Sequence, residues 1–377
     1  LKTMHSLSLE TLQIYWWFIV SLLGGLLVFM MFVQGGQTMI FSLGKNEIQK
    51  DMLINSIGRK WELTFTTLVM FGGACFAAFP LFYATSFGGA YWVWLAILFC
   101  FIVQAVSYEY RKKPDNFLGA KTYEIFLFIN GSVGVILIGM AVSTFFAGSD
   151  FVLNDQNFVQ WQTPWRGLEA LANPMLYLLG LAMFFLSRVG GALYLINNID
   201  DEEFRANARK ALLKNTIAFL PFFLAFLAWV LMKDGFGYDK DGIVSMVSYK
   251  YALNLIQMPW IAAAMIVGIL LVLYGIFRGA FSKSIYGILP YGVGVILVVT
   301  ALFLITGLND TAFYPSFNDL QSSLTIKNAS SSHYTLGVMA YVSLLVPVVL
   351  AYIFVVWCAI DSKKITQDEI ANDHHAY

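Results

Sequence analysis

Few side chains in this sequence are equipped for chemistry, and most of them lie at the ends of long apolar runs. In the stretch from Leu53 to Trp94, the basic pair Arg59-Lys60 meets Trp61-Glu62. An apolar run rich in small residues follows (Gly72, Gly73, Ala74, Ala77, Ala78), then Pro80 and the turn Gly88-Gly89. A carboxylate at a membrane edge is costly to bury and usually has a reason. Two readings of Glu62 stand side by side. One is an interfacial acid paired with Arg59 and Lys60; the other is a proton-loading carboxylate walled by Trp61. Thr64 and Thr67, two and five residues on, are candidates to carry a water chain from it. Glu109, in SYEYRKK, reads as a surface ion pair with Arg111 beside it. Arg188, in LSRVGG, lies deeper, where an unpaired arginine costs at least about 2.5–3.5 kcal/mol. It calls for an acid, a carbonyl or a lipid phosphate, unless its stem snorkels outward. Gln34, Gln37 and Gln104 are neutral, and hydrogen bonding between helices is their expected role.

Other chemistries are excluded by residue type. No phosphate-binding glycine loop, dinucleotide fingerprint or zincin motif is present. The three cysteines, Cys75, Cys100 and Cys358, sit in apolar runs without CxxC spacing, so neither a disulfide framework nor a zinc site is expected. The four histidines, His5, His333, His374 and His375, fall in the tails or at the start of the last apolar run. Haem iron is most often held by histidine, sometimes with methionine. With no histidine inside an apolar run, the chain is not expected to bind haem or a metal by itself, and the methionines read as packing residues. Net charge is zero, so no basic patch argues for nucleic acid.

The elements that position these residues are set by composition. Hydrophobic residues make up 59% of the chain and charged residues 12%, against about 25% charged in a soluble domain. A crossing helix needs about 20 mostly apolar residues. Nine such runs are predicted, roughly 12–33, 63–86, 90–107, 123–147, 174–198, 212–232, 258–277, 285–306 and 334–360, in one integral-membrane domain over 1–377. Backbone groups in lipid must pair within the segment, which makes these runs helices. With the N-terminus outside, the inside segments hold 16 Lys and Arg residues and the outside segments 6. That bias predicts an N-out, C-in topology. The longer outside loops, 148–173, 233–257 and 307–333, carry Trp161, Trp165, Tyr238, Tyr249, Tyr251, Phe313, Tyr314 and Phe317, and are expected at the bilayer surface against the helix ends. Segment 199–215 starts acidic and ends basic, which predicts a helix running on into the sixth span. The small residues around Gly72 predict close approach of another helix.

Taken together, LINSIGRKWE, GGACFAAFPLFYATSFGGAY, SLTIKNASSSHYTLGVM, VPVVLAY and the tail ITQDEI resemble subunit II of the cytochrome bd-type quinol oxidases over essentially the full length. Segments 328–336 and 54–62 carry the most specific part of that resemblance. It implies an all-α polytopic fold of two four-helix bundles plus one peripheral helix, in a bacterial inner membrane. It implies a haem-free subunit that stabilises a haem-bearing subunit I holding two haems b and one haem d, in a complex that oxidises quinol and reduces dioxygen. A structural quinone or lipid in this chain, a small single-span third subunit and a proton path through an acid next to a tryptophan, here Glu62 and Trp61, belong to the same implication. The sequence departs from the pattern twice. A GFDMG-like motif is replaced by Val33-Gln34-Gly35-Gly36-Gln37-Thr38-Met39, without an acid, and His-Trp-Asp by Lys60-Trp61-Glu62. The competing expectation is a secondary transporter or channel. Transporters of that kind show broken helices and polar groups near the midplane, and these runs offer few.

Overall fold

The computed structural model describes residues 7–372, so His5, His374 and His375 lie outside the described residues. Among the described residues nine helices are long and apolar enough to cross a membrane. We number them spans 1 to 9: Leu9–Gln37, Glu47–Ala78, Tyr91–Tyr110, Ala120–Ala147, Leu176–Asn198, Glu202–Met232, Pro259–Phe281, Ile288–Gly307 and His333–Ile360. One end of the bundle gathers most of the lysines and arginines, and is called the basic end below; the other carries the long aromatic loops.

The helix boundaries follow local chemistry. Ser8, Asn46, Asp201 and Ser332 cap helix N-termini, each side chain accepting a backbone N–H three residues on. Span 2 ends at Ala78 rather than near 86, because Pro80 lacks the N–H that would continue the ladder. The chain then passes through a π-helical turn, Ala84–Gly89, into span 3. Span 2 also begins earlier than expected. A capped helix, Glu47–Gly58, runs along the basic end before the chain enters the apolar part at Trp61. In span 9, Pro347 interrupts the helix between Ser343 and Val346. Span 6 is continuous from Glu202, as the acidic-to-basic segment predicted, and tolerates Pro221 inside it.

Span 5 is the hub, packed on spans 1, 4 and 6, and 72% of its apolar window is buried. The closest approach is between spans 1 and 5. A Cβ on Gly35 would lie 1.9 Å from the Ser187 carbonyl oxygen, and one on Gly191 2.5 Å from the Gly36 nitrogen. Close approach was expected at Gly72–Ala78 instead. There, Gly72 and Ala78 are buried and the Ala77 and Ala78 carbonyls accept from Ser331, while Gly73 is exposed, with no described atom within 4 Å of a Cβ on it. Span 9 is peripheral, leaning on span 1 with only 6% of its window buried.

The three long loops fold into a cap on the ends of the helices. It holds two hairpins, Phe151–Leu153 with Val159–Trp161 and Gly235–Tyr238 with Val244–Val247, and a short helix, Lys250–Gln257. Bridges Ser149–Ser316 and Gly237–Thr311 join the loops to each other. The aromatic residues expected at the bilayer surface divide in two. Tyr251, Phe313 and Tyr314 are buried, Phe313 within a nest of Trp17, Phe79 and Phe82, whereas Trp165, Tyr249 and Phe317 are exposed.

Candidate functional site

At the basic end, the chain breaks helical geometry at Lys60 and restarts at Trp61, which puts Glu62 in the first turn of the new helix. An acid there faces the positive end of the helix dipole. Glu62 is exposed and makes no hydrogen bond or ion pair among the described residues. The two cations expected to neutralise it are engaged elsewhere. Arg59 donates to Glu369 at 2.8 Å and Lys60 to Asp361 at 3.0 Å. Among the described residues Glu62 therefore has no ion partner, Arg59 and Lys60 included.

Trp61 stacks on Tyr108 of span 3, with ring centroids 5.7 Å apart and planes 14° from parallel. Gln37 Nε2 donates to the Tyr108 hydroxyl at 3.0 Å, so one of the three glutamines does bond between helices. Gln34 and Gln104 do not. Both are fully buried, and neither amide has a hydrogen-bond partner among the described residues; the same holds for Asn130. These residues converge on one region. A Cβ on Gly131 would touch the Gln34 backbone carbonyl, and Gly134 lies against Cys100, one turn from Gln104. Asn130 opens a π-helical turn, Asn130–Gly134, in span 4, and such turns are frequent at functional sites. A buried polar group left dry costs about 1–3 kcal/mol, so this cluster favours internal water. The Thr64 and Thr67 hydroxyls are committed instead to the carbonyls of Met30 and Leu63.

A second cluster was missed from the sequence. Lys60 is completely buried, and its ammonium meets the Asp361 carboxylate at the end of span 9. Asp361 Oδ1 also accepts from the Tyr194 hydroxyl and from Asn198 Nδ2, each at 3.2 Å, while Oδ2 has no partner. The Trp357 ring lies 4.8 Å from the Lys60 ammonium. The signal for this cluster is Asp361 itself, the first charge after the apolar run of span 9; nothing local ties it to a lysine 301 positions earlier. Glu109 is also reassigned. It pairs with Lys113 on the surface, while Arg111 is buried between Glu124 and Asp51, at 2.8 Å from each.

Arg188 is half-buried in mid-span, 5.5 Å from the Phe184 ring, and its Nε has no partner. No acid or carbonyl among the described residues takes its charge. As for metal chemistry, no group of three or more His, Cys, Asp or Glu side chains among the described residues is placed to hold an ion. His333 sits at the loop end of span 9, bonded through Nε2 to the Leu7 carbonyl.

Nine spans around a central fifth helix, with polar clusters gathered at the basic end, define an all-α polytopic membrane subunit. The chain belongs to the cytochrome bd terminal oxidase subunit II family, which matches residues 12–360. It is a subunit of an oxidoreductase complex, and such a complex implies haem and a partner subunit I. Among curated relatives, cytochrome bd-I ubiquinol oxidase subunit 2 of Escherichia coli is 27% identical over 394 aligned positions, covering 97% of this chain and 98% of that one. A probable cytochrome oxidase subunit 2 of Haemophilus influenzae is 26% identical, covering 92% and 93%. The bd oxidase structure from Geobacillus thermodenitrificans shares the fold, with a TM-score of 0.64 at 12% identity over 94% of this chain and 100% of the matched chain.

Proposed function

We propose that this chain is the haem-free subunit II of a quinol:dioxygen oxidoreductase, that it stabilises the haem-bearing subunit I, and that it admits protons at Glu62. The basic end then faces the cytoplasm, with the N-terminus outside and the C-terminus inside, as the lysine and arginine bias favours. Ubiquinol, the substrate in the name of the Escherichia coli relative, is the expected electron donor. Two haems b and one haem d lie in subunit I, which supplies the redox chemistry, and a small single-span subunit can complete the assembly.

One observation carries the proton reading. An exposed carboxylate with no ion partner among the described residues adjoins the Trp61–Tyr108 stack, to which Gln37 is bonded, and the buried amides of Gln34, Gln104 and Asn130 have no partner among the described residues. Reduction of dioxygen to water consumes protons, and a hydrated polar line through low-dielectric protein delivers them. Glu62 takes a proton from water at the surface; Trp61 holds the wall of the entry; Gln37, Gln34, Gln104 and Asn130 bind and orient the water that carries it onward. The acid absent from Val33–Met39 leaves this route dependent on amides and water. In the outer half, a cavity of about 230 Å³ lies between spans 1 and 4 to 8, lined almost wholly by apolar side chains such as Phe145, Phe223, Leu273 and Phe303. It suits the tail of a structural quinone or a lipid acyl chain. The proton reading is tested by quinol oxidase turnover of the Glu62→Gln complex at matched haem content. Turnover falls severalfold, while Glu62→Asp keeps much of it; equal rates for Glu62→Gln and wild type refute the route.

A further inference from the structure

At the loop end, between the ends of spans 3, 4 and 5 and the cap, lies a second cavity of about 340 Å³. That volume falls within the range of small-ligand sites. Its floor is apolar, with Val93, Leu137 and Met140. Its mouth holds two carboxylates, Asp150 and Glu169, together with the indoles of Trp94 and Trp161. No lysine, arginine or histidine lines it.

Neither carboxylate has a cation partner among the described residues. Asp150, 7% exposed, accepts only from Asn318 Nδ2 among side chains. Glu169 accepts the Gly167 N–H through both oxygens, at 3.0 and 2.9 Å, and the Thr163 hydroxyl at 3.3 Å. The one arginine close in sequence, Arg166, is turned onto the Tyr91 ring at 5.3 Å. Burial, and more weakly the charge of Asp150, pushes the Glu169 carboxyl above its ordinary range. Two buried or half-buried anions facing a cavity without a counter-ion are unfavourable when it holds only water, and become favourable with a cation in it. Of the two indoles, Trp94 has one face stacked on Phe87 at 4.0 Å and Trp161 is anchored by its Nε1 to the Thr85 carbonyl; an uncovered tryptophan face draws a cation more strongly than other rings do. Tryptophan at this level also marks the headgroup zone of a bilayer.

We propose that this cavity binds the ammonium group of a primary amine, supplied in the membrane by the ethanolamine headgroup of a phospholipid. The carboxylates take the charge, the indoles flank it, and the apolar floor receives methylenes. The site is separate from the proton route at the basic end, and its test does not depend on that route.

The intact complex with its partner subunit is purified in mild detergent and stripped of lipid. Lipid retention is then read by native mass spectrometry, with phosphatidylethanolamine and phosphatidylglycerol of matched chains as probes. Phosphatidylethanolamine is retained at least tenfold better, and free ethanolamine displaces it. The paired substitution Asp150→Asn with Glu169→Gln removes the preference. If ethanolamine alone stabilises the complex as well as the lipid does, the ammonium site stands and its natural source is a soluble amine. Equal retention of the two lipids by the wild-type complex overturns the proposal. So does a preference that survives the paired substitution. Should that variant fail to assemble, Glu169→Gln alone, at the half-exposed mouth, and the wild-type lipid comparison decide the matter.

Discussion

Replacing Asp361 by asparagine keeps the size of the side chain and much of its hydrogen bonding to Tyr194 and Asn198, but removes its charge. The Lys60 ammonium is then fully buried without a counter-ion, 3.0 Å from a neutral group. At that separation the Coulomb attraction lost is about 5 kcal/mol for an effective dielectric constant near 20. Breaking a buried pair by removing one partner costs about 3–5 kcal/mol in measured cases. The loss falls on the attachment of span 9, which is otherwise held by Trp357 against Phe32 and Tyr194, by Leu336 and Ala340 nearer the loop end, and by the Ile199–Ile365 bridge just beyond it. A weakening of about 3 kcal/mol raises the detached fraction about 100-fold, since each 1.4 kcal/mol is a factor of ten. Tryptic cleavage at Lys363-Lys364 in the solubilised complex reports that fraction. The expected result is cleavage faster by about two orders of magnitude in Asp361→Asn than in wild type, with most of the loss recovered in Lys60→Met/Asp361→Leu, where packing replaces charge. A cleavage rate within a few-fold of wild type for Asp361→Asn, or a double variant worse than the single one, refutes the reasoning.

Two further outcomes follow from other sites. Arg188→Leu lowers the yield of assembled complex more than turnover per assembled complex, because the guanidinium finds no acid among the described residues and is expected to meet the partner subunit or a lipid phosphate; unchanged yield by size-exclusion chromatography shows a snorkelling side chain instead. The raised Glu169 pKa means that the folded state binds more protons than the unfolded one between the ordinary glutamate value and the shifted one. Stability of the lipid-stripped complex is therefore highest below that window and falls as pH rises through it, and thermal melting against pH shows the slope vanish in Glu169→Gln.

How much of this was legible beforehand depends on the range of the interaction. The spans were readable because each one satisfies its backbone within itself, so about 20 apolar residues suffice to announce a crossing. Their ends were less so. Span 2 stops at Ala78 through Pro80, a local cause, yet starts at Glu47 because a capped helix of mixed polarity, buried from Met52 to Gly58, precedes the apolar run, which hydropathy alone does not register. Glu62 and Trp61 were visible as residue types at a membrane edge. Their surroundings were not, because Arg59 and Lys60 find partners about 300 residues away, Glu369 and Asp361. The same limit applies to Gln34 and Gln104. Residue type suggested a bond between helices, and only the packing shows that their amides find no hydrogen-bond partner among the described residues. Small residues misled for a related reason: Gly72 and Gly73 stood in a conspicuous cluster, but the tight crossing is made by Gly35 and Gly191, each beside another glycine in its own helix.

As proposed above, this chain is the haem-free half of an oxidase whose redox centres belong to its partner. The most direct test is the absorption spectrum of the chain expressed and purified alone, set beside that of the complex co-expressed with subunit I. The account predicts a Soret band and haem in the complex, and none with the chain by itself. A monodisperse isolated chain carrying stoichiometric haem would contradict it.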